Sequence, residues 1–309
     1  MTDGVSRMLL AKGRGADRLT YGLLVLTMAA WGGTFVAARL VARESGPFSA
    51  AFWRFVLAAL ALAPLTWHRE GGLWPRGLDP AGWPLLALLG LSGMFGYNYF
   101  FIKGLGLTEA GVASVIVAFN PGLTYLGLGL FFREKITGRG LFGFGLALAG
   151  AGLVVARGRP AGLLAGTFGQ GEMLIAGCSV CWAAYSLLGK LVLKRLSPLM
   201  ATTWATFFGL AFLGPAALLE DGPGWGYSPT GWAGLAFLGL LGTALGFTLY
   251  YQGILRLGAG RAAVFINLVP VFGLLSGWLI LDERLGWHLA AGLALVLSGI
   301  HLIQKPEAP

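Results

Sequence analysis

The sequence predicts an all-α membrane protein of ten transmembrane helices in two inverted-topology five-helix repeats, and three observations carry that prediction: composition, run length and self-similarity. Of 309 residues, 56% are hydrophobic, only 11% are charged and 51 are glycine, with a mean hydropathy of +0.74. A water-soluble domain carries about 25% charged residues. The apolar runs are about 20 residues long, enough for a helix to cross a hydrocarbon core of about 30 Å, and they lack the alternation of barrel strands. Finally, the run from Ala110 to Glu134 recurs 149 positions later, where Ala110, Ala113, Val115, Pro121, Leu126 and Glu134 return as Ala259, Ala262, Val264, Pro270, Leu275 and Glu283.

The N-terminal stretch has charges on both sides of a very short apolar patch, which reads as a basic tail rather than a cleavable signal. The first span, Tyr21 to Arg43, then serves as the insertion signal. Pro47 to Trp67, Trp83 to Gly106 and Ala110 to Phe132 follow, separated by polar or Gly/Pro-containing connections, and Gly140 to Ala156 is the shortest. The second set is Gly171 to Leu193, Pro198 to Leu219, Gly231 to Leu255, Ala259 to Leu281 and Gly286 to Ile303. The expected organisation is a basic tail over 1–20, a first repeat over 21–157, a linker over 158–170, a second repeat over 171–304 and a short tail over 305–309.

Orientation follows from Lys and Arg in alternate loops. One side carries fourteen, from Arg7, Lys12, Arg14 and Arg18 through Arg133, Lys135 and Arg139 to Lys305, against Arg43, Arg157, Arg159 and Arg284 on the other. Both termini are therefore expected in the cytoplasm, and the net charge of +9 belongs to one membrane face, not to a nucleic-acid surface.

Five spans per half is an odd number, so the second half enters the membrane from the opposite side. From Gly82 to Gly150 the halves align at 149, pairing Trp83 with Trp232, Gly90 with Gly239, Gly93 with Gly242 and Gly143 with Gly292. The first two spans align at 151, pairing Trp31 with Trp182 and Trp53 with Trp204. The paired glycines are expected to let helix backbones approach, because apolar burial drives no association in lipid.

Pro121 removes a backbone N–H and clashes with the carbonyl four residues back, so it and Pro270 are expected to break their helices and to free the Val117 and Ile266 carbonyls. They are the candidate hinges. Asn120 and Asn267 lie beside the two breaks, and Asn98 and Gln252 add amides on the third and eighth spans. Trp31, Tyr97, Tyr99, Trp182, Tyr185, Tyr250 and Tyr251 place aromatic rings with polar handles inside spans, where interfacial belts do not account for them. These amides and aromatics are the candidate binding residues. Arg54, about seven residues inside its span with Ala205 at the equivalent place, has three readings: snorkelling, pairing with Glu44, or attracting an anion. Cys178 and Cys181 have no second ligand pair and read as small packing residues, so no metal and no cofactor is expected.

The early Trp31-Gly32 and the run from Gly106 through Ala113 to Pro121 and Glu134, repeated through Gly258, Pro270 and Glu283, resemble the EamA family of the drug/metabolite transporter superfamily. The resemblance implies a ten-helix basket whose central cavity is lined mainly by spans one, three, four, six, eight and nine. It also implies a carrier of the inner membrane. Several members export amino acids, including aromatic ones, as do exporters of the YddG kind, and the aromatic, charge-poor middle of this chain suits such cargo. The expected partners are a small-molecule substrate and membrane lipids, with monomer and homodimer both open. A lipid-modifying enzyme is the rival from another class; it needs a carboxylate cluster or a His/Asp base at the membrane face, and the sequence displays neither. His68 and His288 lie in loops and His301 near a span end, so the chain shows no mid-membrane proton relay and facilitated transport or exchange is expected.

Overall fold

The computed structural model describes the backbone of residues 2–158, 169–220, 222, 224–257 and 265–304. Side chains are described for 18–158, 169–220, 222, 224–250, 252–253, 256–257 and 265–304. Most of the linker (159–168), the start of the ninth span (258–264), the tail 305–309 and the side chains of Tyr251 and of residues 1–17 lie outside the described residues.

The first five helices are α1 (Thr2–Val41, its membrane portion Arg18–Val41), α2 (Pro47–Glu70), α3 (Gly82–Leu105), α4 (Ala110–Phe132) and α5 (Gly138–Val155). Next come α6 (Gln170–Val192), α7 (Pro198–Glu220), α8 (Pro229–Ala236 continuing through Phe237–Leu245 into Gly246–Leu257), α9 (Val269–Leu281) and α10 (Trp287–Gln304). Among the described residues, nine helices are long and apolar enough to cross a membrane, and α9 is a shorter apolar helix. Starts and stops follow local chemistry. Pro47 opens α2, where a missing N–H costs nothing, and Thr137 and Ser228 cap α5 and α8 by accepting from Gly140 and Gly231 N–H at 3.0 Å.

The inversion is visible in how equivalent helices meet. In the α5–α10 pair, Gly143 faces Gly299 while Gly150 faces Gly292, so the two helices run antiparallel. A Cβ on Gly143 or Gly150 would stand 2.6 Å from the facing carbonyl oxygen, which is why neither position accepts a side chain. The α2–α7 pair also runs antiparallel: Thr66 and Thr203 hydroxyls bond at 2.7 Å near one end, and Glu220 accepts from Ser49 N–H at 3.0 Å at the other. Between these axial pairs, α1 packs on α8 and α9 as α6 packs on α3 and α4.

Tryptophans repeat the relation at opposite ends. Trp53 Nε1 donates to the Gly224 carbonyl (3.1 Å) beside Trp225 and Trp232, and Trp204 Nε1 donates to the Leu73 carbonyl (2.7 Å) beside Trp74 and Trp83. The expected glycine packing holds as well. A Cβ on Gly90 would meet Ala205 O at 2.8 Å, and one on Gly239 would meet Arg54 O at 2.5 Å; Gly93 and Gly242 abut Tyr185 and Thr34.

Two departures from uniform helix matter for the site. Residues Gly90–Gly96 of α3 and Phe237–Leu245 of α8, which are repeat equivalents, wind as π-helix. In α4 the helix stops at Val117, turns through Ala118 and Phe119, and restarts at Asn120, which puts Pro121 where its ring and missing N–H are tolerated. The break before Pro270 is equivalent: Leu268 N–H bonds Phe265 O at 2.8 Å, as Phe119 N–H bonds Ile116 O at 3.1 Å.

Candidate functional site

The predicted aromatic residues fall into two related groups. Trp31 on α1 lies against Phe247 and Tyr250 on α8, with ring centroids 5.6 and 5.4 Å away. Trp182 on α6 lies against Tyr97 on α3 (5.4 Å) and Tyr185 (5.6 Å). Phe101 extends the second group by stacking on Tyr97 (5.4 Å) and meeting Phe35 of α1 edge-on (5.2 Å). Trp31, Tyr97, Trp182, Tyr185 and Tyr250 are each half-buried. Tyr99 belongs elsewhere: it stacks on Phe48 (4.8 Å) and its hydroxyl accepts from Lys103 (2.9 Å). Gln252 is half-buried on α8, and Asn267 is half-buried in the turn ahead of α9. Asn120 is buried at the α4 break, and its Oδ1 has no hydrogen-bond partner among the described residues.

The π-segments create the polar features. At the return from π to α register, Tyr97 N–H bonds Ser92 O and Gly246 N–H bonds Leu241 O, five residues back, which leaves the Gly93 and Gly242 carbonyls out of the ladder. Each carbonyl receives a side chain. Trp31 Nε1 donates to Gly242 O (2.9 Å), and Asn98 Nδ2 donates to Gly93 O (3.1 Å). The indole of Trp31 is thus satisfied by protein.

Arg54 is buried at the meeting point of α2, α3 and α8. Its Nη1 donates to Asn98 Oδ1 (2.7 Å) and its Nη2 makes a long contact to Thr243 Oγ1 (3.4 Å). Pairing with Glu44 and snorkelling are both corrected here: Glu44 instead accepts from Ser228 N–H (2.8 Å) and hydroxyl (2.7 Å) at the start of α8. Cys178 is buried, Cys181 is half-buried, and both are free thiols.

The two repeats differ most at their equivalent glutamates. Arg133 and Asp282 take the left-handed conformation (φ 55° and 53°) after α4 and α9, which turns the following Glu134 and Glu283 back toward the helices. Glu283 then caps α4 from another helix. Its Oε1 accepts from Ala110 N–H and its Oε2 from Gly111 N–H, both at 2.8 Å, and it forms an ion pair with Arg39 of α1. These N–H groups have no intrahelical acceptor and carry the positive end of the helix dipole, so a carboxylate suits them. Side-chain exposures are 22% for Arg39 and 7% for Glu283. Glu134 pairs with Lys190, the repeat equivalent of Arg39, but at 48% and 38% exposure. Its counterparts of Ala110 and Gly111, Ala259 and Gly260, lie outside the described residues.

The Glu283 end is also tied elsewhere. Glu220 accepts from Phe48 N–H (3.1 Å), Glu172 accepts from the Thr108 hydroxyl (2.9 Å), and the Tyr227 hydroxyl bonds Ser45 (2.7 Å). At the other end the ion pair of Arg195 with Asp79 is exposed.

An all-helical membrane fold built from two inverted repeats defines a class of integral membrane transporters. Residues 18–156 and 169–304 each match the EamA-like transporter family, and the chain belongs to that family, one of transporters and not of enzymes. Among its relatives is the uncharacterized transporter YyaM of Bacillus subtilis, 30% identical over 87% of this chain and 88% of that one. An uncharacterized transporter of Archaeoglobus fulgidus is 30% identical over 92% and 96%. A probable terminal-alkyne amino-acid exporter of Streptantibioticus cattleyicolor is 28% identical over 91% and 92%. A crystal structure at 20% identity shares the fold, with a TM-score of 0.63 over 92% of this chain and 96% of that one.

Sequence reasoning missed the π-segments, the Arg54–Asn98 contact and the capping of α4 by Glu283. Arg54 carried a signal, a charge well inside an apolar run. The π-segments carried none beyond glycines that packing already explained.

Proposed function

We propose that the chain is a secondary transporter that exports small neutral or zwitterionic metabolites, amino acids foremost and aromatic ones included. It does so across the inner membrane by alternating access, as facilitated diffusion or exchange. The proposed frame is both termini cytoplasmic, with repeats over 21–157 and 171–304. The observation that carries the reading is the unequal state of two equivalent contacts: Glu283–Arg39 is buried on the α4 N-terminus, while Glu134–Lys190 is exposed. An inverted repeat gives each end the same parts, and exchanging which end is sealed moves the central site from one side to the other.

In this reading the Glu283 end is sealed and the Glu134 end gives access. Trp31, Tyr97, Trp182, Tyr185 and Tyr250 enclose the apolar part of the substrate, and Asn120, Gln252 and Asn267 receive polar groups. Carbonyls at the breaks preceding Pro121 and Pro270 offer acceptors to an ammonium. The amino-acid cargo named for the Streptantibioticus relative is in keeping with this. The test is uptake and counterflow in proteoliposomes against the twenty amino acids. Saturable flux with acceleration by substrate on the opposite side is expected; non-saturating flux without competition would make the protein a channel instead.

A further inference from the structure

We infer that Arg54 is the anchor for a carboxylate group of the carried substrate, an inference that rests on the reading of the chain as a metabolite carrier. Arg54 is only 9% exposed and lies within the span of α2. Among the described residues its hydrogen-bond partners are neutral, Asn98 Oδ1 at 2.7 Å and Thr243 Oγ1 at 3.4 Å, and no carboxylate pairs with it. A guanidinium has five N–H donors in a planar fork, and here Nε has no acceptor among the described residues. A cation inside a membrane helix is costly without a counter-charge, so its place in the fold calls for a reason.

Packing is not that reason, because the protein contains its own control. Arg54 and Ala205 are equivalent in the two repeats and do the same backbone work: the carbonyl of each faces a paired glycine, Gly239 and Gly90. Alanine suffices in the second repeat. Asn98 is similarly one-sided, with Phe247 as its equivalent.

Asn98 sets the direction of the fork. Its Nδ2 is committed to the Gly93 carbonyl released by the π-segment, so its Oδ1 faces Arg54 and holds Nη1. That leaves the edge formed by Nε and Nη2, on which the one hydrogen bond among the described residues is the 3.4 Å approach of Thr243, while the Phe55 ring lies 5.4 Å from Cζ. This is an edge on which arginine takes a planar carboxylate with two parallel hydrogen bonds. Tyr97, the neighbour of Asn98 on α3, lies against Trp182 with ring centroids 5.4 Å apart and planes tilted by 55°. A carboxylate held here has an aromatic wall beside it.

The test is counterflow in proteoliposomes with the twenty amino acids, each paired with its methyl ester, which keeps the ammonium and removes the carboxylate; phenyl phosphate and 3-phenylpropionate serve as competitors. Wild type should prefer acid over ester by roughly 10- to 100-fold, the scale of lost charge-assisted bonds, and 3-phenylpropionate should compete better than phenyl phosphate. Arg54→Gln should abolish that preference while keeping ester flux, and Arg54→Lys, which keeps charge without the fork, should fall between. Should Arg54→Gln fail to fold, Asn98→Asp decides: it retains Arg54, neutralises it internally and should erase the preference equally. Equal flux of acids and esters in wild type, an unchanged preference in the variants, or stronger competition by the phosphate overturns the inference and leaves the carrier reading standing. Flux of neither acids nor esters in wild type overturns both.

Discussion

Glu283→Gln should unseal one end of the molecule. The carboxylate, itself at 7% side-chain exposure, accepts from two α4 N–H groups at 2.8 Å and pairs with Arg39. An amide keeps one acceptor oxygen, so one N–H loses its partner and Arg39 loses its counter-ion, a loss of about 2–4 kcal/mol from the sealed state. That corresponds to a roughly 30- to 700-fold rise in the unsealed fraction until that state dominates. Ser114 reports on the seam: it is buried between α4 and α9, its hydroxyl 2.8 Å from Gly111 O and 3.3 Å from Pro270 O. With Cys178 and Cys181 replaced by serine and Ser114 by cysteine, the assay is the rate of labelling by a water-soluble methanethiosulfonate in detergent. Glu283→Gln should raise it at least tenfold. Glu134→Gln, at an exposed pair of the kind worth about 0–1 kcal/mol, should change it less than fivefold. An unchanged rate in folded Glu283→Gln protein, or an equal rise in Glu134→Gln, would refute the reasoning.

Gly143→Ala places a methyl 2.6 Å from the Gly299 carbonyl, whereas Gly145 has nothing within 4 Å of its added Cβ; thermal unfolding in detergent should show Gly143→Ala destabilised by about 1–3 kcal/mol and Gly145→Ala unchanged. Replacing Pro121 and Pro270 together by alanine should slow counterflow by allowing continuous helix through both turns, and an unaltered rate and affinity would remove the prolines from the mechanism. A pH difference imposed alone across proteoliposomes should produce no uphill accumulation of substrate; accumulation would establish proton coupling.

The spans and their inversion were legible because lipid imposes them. Length and apolarity are properties of contiguous sequence, and a fixed offset such as Gly143 to Gly292 survives without knowledge of contacts. The proline breaks were legible for the same local reason. Arg54 and Glu283 were legible only as anomalies. Their partners lie 44 and 189 positions away for Arg54 and 172, 173 and 244 positions away for Glu283, and nothing local in the chain announces them. The reading of Arg54 as Glu44's partner used nearness in sequence where the fold used nearness in space. Tyr99 failed to join the aromatic group because, two residues from Tyr97 on a helix, it faces elsewhere.

The π-segments add a consequence in angle. Each adds about one residue relative to an unbroken α-helix, and a helix turns by about 100° per residue. Everything in α3 beyond Gly96 is therefore rotated by about that angle from where α winding would place it. One helix can show Gly90 to α7 and, a turn and a half later, Tyr97 to Trp182 and Asn98 to Arg54. The α8 equivalent does the same for Phe247 and Tyr250 against Trp31. The protein thus aims its central side chains by counting residues, while the paired glycines let the helix axes lie close.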